Sequence, residues 1–394
     1  MKNSWILSLA LVLLLLAAAC NTAREPAAQQ YEVWTIDQAD AGKGGAKLYV
    51  FKGDLLEKGQ AATPEVVDLD AGAKGVGAGP GTRPHAISFS GKKTHALISN
   101  VASGHVYFMR ASDRKIVQSI DVGEQAHWAA ASPDDKIVLV ANQNGKKLAR
   151  IMADFEREQF TYSQTDDLDL NRLQDDAHPD NAPICPLLYA TGTSQVYVTL
   201  RGGGLYVVDT STTPMKVVKS FSKDQIAPSG CGGISTGKKV YVNSGTATAG
   251  YVYVFDNANN LVKTINLTSL GTDAHGMVLT GDGKYLWVGN RGNGDNIVVI
   301  DTAKDEIVGT IAPVGSAPDI MDMSPNGKFV YIAMRSANPL TGGAPAKGEK
   351  PGIQVMEVTE KGAKGVQKQF IPIGDQSPQS PNDVHAVAVR VVRP

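Results

Sequence analysis

Seven residues of the kind that bind metal ions open seven similar apolar segments of this chain. They are His85, His127, Cys185, Cys231, His275, Asp319 and His385. This column contains four of the seven histidines of the chain and two of its three cysteines. Imidazole and thiolate together favour transition metals such as Cu or Zn over Mg or Ca, which prefer oxygen ligands. The column is therefore a candidate metal site, provided that the fold brings its members together.

The segments that these residues open belong to a repeat of four short strands. Each opening residue is followed by four or five mostly apolar residues, a polar turn and three further strand-like segments. β-Branched residues, alternating polarity and closely spaced turn signals predict β-strands throughout. The opening residues lie between roughly 42 and 66 residues apart, which is the period of a four-stranded propeller blade with two insertions. We place an insertion at 153–183 and a long loop at 336–351, the latter on the same face as the opening residues.

The two ends of the chain each supply part of one repeat. Strand-like segments start at Tyr31, Lys47 and Glu65, whereas the segment that starts at Val384 is an innermost strand without followers. Joining them completes a last blade and leaves no open edge in the ring. We therefore predict an all-β fold over 31–394, a seven-bladed β-propeller of four-stranded antiparallel blades. The N-terminal strands and the C-terminal inner strand close its last blade.

The N-terminus has the features of a secretory signal. Lys2 precedes an apolar run over Trp5–Ala19 that is too short to span a bilayer, and three alanines lead to Cys20. This ending resembles a bacterial lipobox, which implies a lipid on Cys20. We expect a signal peptide over 1–19 and a tether over 20–30. The propeller would then be anchored to a membrane at the cell envelope, with the outer membrane favoured.

Charge and motifs exclude several classes of function. The formal net charge is −1, with acids and bases interspersed, so nothing indicates a nucleic-acid partner. We find no phosphate-binding loop in its strand–loop–helix context, no nucleophile elbow and no haem-attachment motif. Arg201 and Arg291, in turns on the side of the opening residues, are candidates to receive an anionic ligand, although solvated turn arginines are commoner.

Two segments carry a resemblance to a known family. AHGMVLTGDGKYLWVGN, from Ala274, and APDIMDMSPNGKFVYIAM, from Ala317, resemble the YVTN-type propeller repeats of bacterial envelope proteins. The resemblance extends over nearly the whole mature chain and implies the propeller fold. The family includes enzymes, chaperones and scaffolds, so it does not imply one function. In architecture the column is also similar to the histidines of the nitrous oxide reductase propeller and to periplasmic zinc chaperone propellers.

In a propeller, residues that open the inner strands meet at the mouth of the central channel. Opposite sides of such a ring are far apart, so we expect three or four neighbours to bind one ion. The arc from His85 through Cys231 to His275 is the favoured group, ahead of Asp319 and His385. Hydrogen bonds to neighbouring loops are the alternative role for the histidines.

Two features near the column leave alternatives open. Cys185 and Cys231 open adjacent blades, so they are a ligand pair, a disulfide or two inert buried thiols. His178 and Asp180, in the insertion, are either part of a solvated acidic loop or a lid that adds a ligand.

The functional hypothesis is metal capture, delivery or storage at the cell envelope. It implies a bound Cu or Zn ion and an envelope protein that delivers or receives the metal. The alternatives are a metal-dependent oxidase, hydrolase or lyase at the same mouth, and a protein-interaction scaffold without a metal.

Overall fold

The computed structural model describes residues 29–60, 62–78, 83–188, 194–312 and 314–392, and these ranges form seven antiparallel sheets in a ring. Each sheet is an ordered row of four strands, and one of them carries a short fifth strand. The predicted seven-bladed β-propeller is confirmed. The signal peptide and Cys20 lie outside the described residues, so the lipid anchor stays a prediction.

The blades are numbered 1 to 7 in the order of their opening residues, and blade 7 combines the two ends of the chain. The N-terminal strands of blade 7 are β1 (Tyr31–Asp37), β2 (Lys47–Lys52) and β3 (Glu65–Asp68). Blade 1 consists of β4 (Pro84–Phe89), β5 (His95–Asn100), β6 (His105–Arg110) and β7 (Lys115–Asp121). Blade 2 consists of β8 (Ala126–Ala131), β9 (Ile137–Asn142), β10 (Lys147–Asp154) and β11 (Gln159–Tyr162), with β12 (Leu168–Asp169) added to β10. Blade 3 consists of β13 (Pro183–Leu188), β14 (Gln195–Leu200), β15 (Leu205–Asp209) and β16 (Lys216–Phe221).

The remaining blades follow the same order from the channel outwards. Blade 4 consists of β17 (Gly233–Ser235), β18 (Lys239–Thr246), β19 (Ala249–Asp256) and β20 (Leu261–Asn266). Blade 5 consists of β21 (Thr272–Leu279), β22 (Tyr285–Gly292), β23 (Ile297–Asp301) and β24 (Glu306–Ile311). Blade 6 consists of β25 (Pro318–Met323), β26 (Phe329–Met334), β27 (Gly352–Thr359) and β28 (Lys364–Pro372). The inner strand of blade 7 is β29 (Val384–Val391), which pairs with β1 as predicted from the sequence.

Helical structure is confined to connections. Two short α-helices follow β2 and β3, α1 (Gly53–Glu57) and α2 (Leu69–Gly75). Single 3-10 turns occur at Ala41–Lys43, Gln164–Asp166, Leu170–Leu173, Ala344–Ala346 and Glu360–Gly362. Within the described ranges no helix has the length and apolar character needed to cross a membrane.

Apolar side chains fill the spaces between neighbouring blades. Trp34 of β1 is fully buried and packs edge-on against Phe89 of β4, with ring centroids 5.1 Å apart. Trp287 of β22 is also fully buried, and its indole N–H donates to the carbonyl oxygen of Gly362 at 2.8 Å. Burying a large apolar side chain contributes about 1.5–3 kcal/mol, so these contacts stabilise the packing of blade 7 against blade 1 and of blade 5 against blade 6.

The predicted insertion is shorter than its sequence suggested. Residues up to Asp154 continue β10, and Gln159–Tyr162 form β11, the outer strand of blade 2. A blade needs its fourth strand to pair with the third, and the charged turn between these two strands concealed that pairing in the sequence. The inserted segment proper therefore starts after Tyr162.

Candidate metal centre

A β-bulge lies at the opening residue of the inner strand in six blades. In blade 1, Pro84 pairs with Asn100 and Ala86 with Ser99, so that His85 is left without a partner across the ladder. The register shifts at the same place in blades 2, 3, 5, 6 and 7. A bulge bends the strand and redirects the side chain of the extra residue. The repeated bulge gives the column one common orientation.

Contacts between neighbouring inner strands bring the opening residues together. β29 lies between β25 and β4, and β8 lies between β4 and β13. The imidazole rings of His85 and His385 are stacked with centroids 3.9 Å apart, and the rings of His85 and His127 are 4.5 Å apart. The column expected from the repeat is thus a continuous cluster of side chains across these blades.

A cavity of about 770 Å³, here called the mouth cavity, opens beside this cluster. All four histidines of the column line it. Leu340, Thr341, Gly342 and Pro345 of the loop at 336–351 also line it, which places that loop on the expected face. A cavity of this size accommodates a small organic molecule in addition to an ion.

The tightest group of ligand atoms comes from blades 5, 6 and 7, and we call His275, Asp319 and His385 the mouth triad. Nε2 of His275 is 3.3 Å from Nε2 of His385 and 3.5 Å from Oδ1 of Asp319. Nε2 of His385 is 3.8 Å from the same oxygen. All three side chains are buried, and these atoms form one of two groups of closely spaced metal-ligand atoms in the described part of the chain.

The three facing atoms of the mouth triad are spaced as the ligands of a metal ion are. The nearest point equidistant from them lies in their plane, about 2.1 Å from each, and an ion about 2.2 Å from each would lie out of that plane, as tetrahedral coordination requires; zinc bonds to nitrogen and oxygen are ~2.0–2.2 Å. With bonds of that length a tetrahedral ion separates its ligands by about 3.4 Å and an octahedral ion by about 3.0 Å. The observed spacing of 3.3 to 3.8 Å therefore fits tetrahedral coordination better.

The carboxylate of Asp319 has one engaged oxygen and one free oxygen. Oδ2 accepts from Nη1 of Arg335 at 2.8 Å and from Nη1 of Arg291 at 3.3 Å. Oδ1 is buried without a hydrogen-bond partner among the described residues. Burial would raise the pKa of Asp319, but the positive charges around it, chiefly that of Arg291, hold its pKa below the ordinary value. An ionised, buried oxygen without a partner is a strong point of attraction for a cation.

The two histidines of the mouth triad present neutral rings. Nδ1 of His385 lies 3.1 Å from the backbone carbonyl oxygen of His85, which only accepts hydrogen bonds, so Nδ1 carries the proton and Nε2 a lone pair. Burial holds the pKa of His385 well below its ordinary value and lowers that of His275 to about 4. Both rings are therefore neutral, as metal binding requires. Because Nε2 of His385 is an acceptor, Nε2 of His275 carries the proton and donates to it at 3.3 Å, and this proton would leave Nε2 when an ion binds. Nδ1 of His275 has no partner within the described ranges.

His85 lines the mouth cavity and has one ring nitrogen that can only accept a hydrogen bond. Its Nδ1 lies 2.7 Å from Oε1 of Gln38. The amide nitrogen of Gln38 donates to Asp383 at 3.0 Å, so the amide oxygen faces His85 and accepts from Nδ1. Nε2 of His85 is then the unprotonated nitrogen, and it is buried with no partner among the described residues. Burial also lowers the pKa of His85 well below its ordinary value.

The second group of candidate ligands is His127, Cys185 and Cys231, and its two sulfurs are joined. Cys185 and Cys231 form a disulfide, with Cα atoms 5.3 Å apart. Nδ1 of His127 lies 4.0 Å from Sγ of Cys185, and burial lowers the pKa of His127 to about 3. Thiolate is the form of cysteine that binds metals, so these two cysteines are ligands only after reduction. Of the roles that the sequence left open for these cysteines, the structure has the disulfide.

His178 and Asp180 do not line the mouth cavity. His178 is buried and both ring nitrogens are engaged, Nδ1 with Oδ1 of Asp175 at 2.8 Å and Nε2 with the carbonyl oxygen of Phe221 at 3.1 Å. Asp180 accepts from Nε of Arg201 at 2.7 Å. In this arrangement both residues anchor the inserted segment to blade 3, and neither offers a free ligand atom to the mouth triad.

Arg335 is a central residue of the site that the sequence reasoning missed. It is fully buried and donates to Asp319 at 2.8 Å and to both carboxylate oxygens of Asp383, at 2.9 and 2.6 Å. A signal for it existed, because Arg335 follows the second strand of blade 6 at the position that Arg201 and Arg291 occupy in blades 3 and 5. Only its place in the fold shows that it joins the carboxylates of two blades.

The residue two positions before the column was also overlooked. In five blades it has a positive φ, a conformation that residues other than glycine rarely adopt. These residues are Arg83 (55°), Gln125 (66°), Ser229 (64°), Asp273 (53°) and Ala317 (52°). The first four line the mouth cavity. These four residues form a second ring of side chains around the cavity, beside the column.

Comparisons with known proteins identify the fold. No protein-family model and no curated protein matches this chain. A putative 6-phosphogluconolactonase from Bacteroides uniformis is similar, with 14% identity over 92% of this chain and 99% of that one and a TM-score of 0.66. Hydrazine synthase of Kuenenia stuttgartiensis has 18% identity over 78% of this chain and 95% of that one, with a TM-score of 0.57. At these identities the likeness shows the propeller fold alone.

The residues of the column group differently in the structure from the grouping that the sequence favoured. The sequence favoured the arc from His85 through Cys231 to His275 over Asp319 and His385. The structure instead places Asp319 and His385 with His275 in one group, and the disulfide removes Cys231 from the set of free ligands. Both outcomes depend on distances between blades, which a repeat pattern does not contain.

Proposed function

We propose that this protein is a lipid-anchored cell-envelope protein that binds one transition-metal ion in the mouth triad, for metal capture, delivery or storage. The ligands would be Nε2 of His275, Nε2 of His385 and Oδ1 of Asp319. The observation that carries the proposal is the spacing of these atoms, which have a common point about 2.1 Å from each, at zinc-ligand distance.

The charges around the mouth triad support a cation there. The buried cluster that contains Asp319 has three carboxylates, of Asp273, Asp319 and Asp383, and two guanidinium groups, of Arg291 and Arg335. The cluster of these five groups therefore has a net charge of −1. A divalent ion beside Oδ1 of Asp319 would offset that charge and give the oxygen a partner.

The donor set narrows the identity of the metal. Two imidazoles and one carboxylate suit Zn(II), Cu(II) and Fe(II), whereas Cu(I) prefers thiolate or thioether sulfur. The wide spacing of the three atoms favours an ion that accepts four ligands over an octahedral one. Zinc is therefore the first expectation, with copper second. The location at the envelope follows from the predicted lipid anchor on Cys20, and the expected partner is an envelope protein that delivers or receives the metal.

Metal analysis of the purified protein tests the proposal. The protein is prepared without a polyhistidine tag or chelating resin, incubated with Zn or Cu, and dialysed. We expect about one tightly held ion per chain, since the mouth triad offers one set of three ligands. Less than about a tenth of an ion per chain after incubation with either metal would remove the proposal, because a preformed site of three ligands retains its ion on dialysis.

The accessibility of the mouth triad favours a second candidate, a metal-dependent hydrolase or lyase. Structural zinc sites have four protein ligands, whereas catalytic sites have three and keep one position open. The mouth triad has three, and two of them line a cavity of about 770 Å³. Turnover of small ester, lactone or hydroxy-acid substrates that is lost on chelation and restored by Zn would favour this candidate over storage or delivery.

A further inference from the structure

Arg83 is unlike the other arginines that line the mouth cavity, because it has no carboxylate partner among the described residues. Arg201 is paired with Asp180 and Arg291 with Asp273. Nε of Arg83 is buried and has no hydrogen-bond partner in the described part of the chain. A buried guanidinium nitrogen without a partner is unfavourable. An anionic ligand in the cavity would supply the missing partner.

The backbone of Arg83 adds to this observation. Its φ of 55° lies in the left-handed region, which arginine rarely adopts. Four other blades have the same conformation at this register, so the repeat fixes the backbone that places Arg83 beside the column. Its side chain lines the cavity two residues before His85.

His85 offers a complementary contact. Because the amide oxygen of Gln38 accepts the proton of its Nδ1, Nε2 of His85 can only accept a hydrogen bond. This nitrogen is buried, has no partner among the described residues, and belongs to a ring that lines the same cavity. A ligand hydroxyl group would donate to it.

We propose that the mouth cavity binds a small organic hydroxycarboxylate, with Arg83 holding the carboxylate and Nε2 of His85 accepting from the hydroxyl group. Guanidinium and carboxylate form charge-assisted, frequently bidentate hydrogen bonds, which makes Arg83 the main contributor to affinity. His85 then selects hydroxylated acids over plain ones. These two contacts do not depend on a metal. A metal ion in the mouth triad would attract the anion further, and only this part of the inference rests on the proposed function.

Malate and succinate are suitable probes, since they have the same two carboxylates and differ by one hydroxyl group. Binding of each to the wild-type protein is measured by calorimetry, once after treatment with EDTA and once with Zn added. We expect malate to bind several-fold more tightly than succinate in both preparations. Arg83→Gln should weaken both acids about tenfold or more, and His85→Phe, which keeps a flat ring against His385, should abolish the preference for malate.

Two further variants keep the test decisive. Arg83→Gly removes the guanidinium where glycine adopts the backbone conformation without strain, so it separates loss of binding from loss of folding. Arg157→Gln, which removes an exposed arginine outside the cavity that already pairs with Asp154, should change either affinity less than about threefold. Absence of saturable binding to the wild type, or equal affinity of the wild type and Arg83→Gln, overturns the proposal. Inorganic phosphate that binds more tightly than malate, with no effect of His85→Phe, overturns the assignment to hydroxycarboxylates.

The same measurements separate the two proposals. Malate binding without metal binding would refute only the proposed function, and metal binding without malate binding would refute only this inference.

Discussion

Replacing His275 and His385 together by alanine is expected to lower zinc affinity by at least about a thousandfold. Structural zinc sites with four ligands bind with about 10–16 kcal/mol, or roughly 3 kcal/mol per ligand, so the loss of two ligands removes most of the binding free energy. Asp319 alone would remain, and a single carboxylate holds zinc only weakly. Competition with a zinc-responsive dye measures the change in Kd.

The control for this variant is His105→Ala. His105 is only partly buried, and its Nδ1 lies 2.7 Å from the carbonyl oxygen of Ser103 in a turn. Its loss removes one imidazole without touching the mouth triad, so zinc affinity should stay within about twofold of the wild type. Urea unfolding of the metal-free proteins shows whether the double variant is folded. A folded double variant that keeps wild-type zinc affinity would refute the mouth triad as the metal site.

Replacing Arg335 by alanine is expected to destabilise the propeller by about 3–5 kcal/mol. The guanidinium of Arg335 is fully buried and joins Asp319 of blade 6 to Asp383, next to the inner strand of blade 7. Its removal leaves buried carboxylates with too few positive partners, which is the costly half of breaking a buried ion pair. The free energy of unfolding in urea at neutral pH measures the effect.

Arg201→Ala is a matched control because Arg201 occupies the same repeat position in blade 3. Its side chain is 41% exposed and paired with Asp180 at the surface, so we expect a loss of less than about 1 kcal/mol. Equal losses for the two variants would mean that the buried network of Arg335 has no special role in closing the ring. Because both variants replace an arginine by alanine, the comparison does not depend on residue type.

The fold was predictable from the sequence because a propeller repeats one local pattern. Turn motifs, alternating polarity and the spacing of the opening residues all depend on neighbours in the chain, and they defined seven blades and their closure by both termini. The end of blade 2 was less clear. Its outer strand, Gln159–Tyr162, is short and follows a charged turn, so its pairing with β10 is visible only in three dimensions.

The members of the candidate site were largely predictable, but their grouping was not. His85, His127, His275 and His385 all line the mouth cavity. The distances within the mouth triad, the disulfide of the two cysteines and the partners of His178 arise between segments far apart in the chain. Arg335 escaped notice because arginine at the end of a strand is ordinary, and its importance comes from complete burial beside two carboxylates.

Seven residues of metal-ligand type share one register in a seven-bladed ring, and this was evident before any coordinates. That conclusion needed only periodicity, since equivalent positions of a closed repeat must lie on one circle. The tertiary structure alone decided which of them meet, because bulges and blade packing set side-chain positions to within an ångström, and metal ligation depends on differences of that size. It also showed that Oδ1 of Asp319, Nε2 of His85 and Nε of Arg83 have no partners among the described residues. These free atoms, which no pattern of residue types reveals, are the observations on which the two proposals rest.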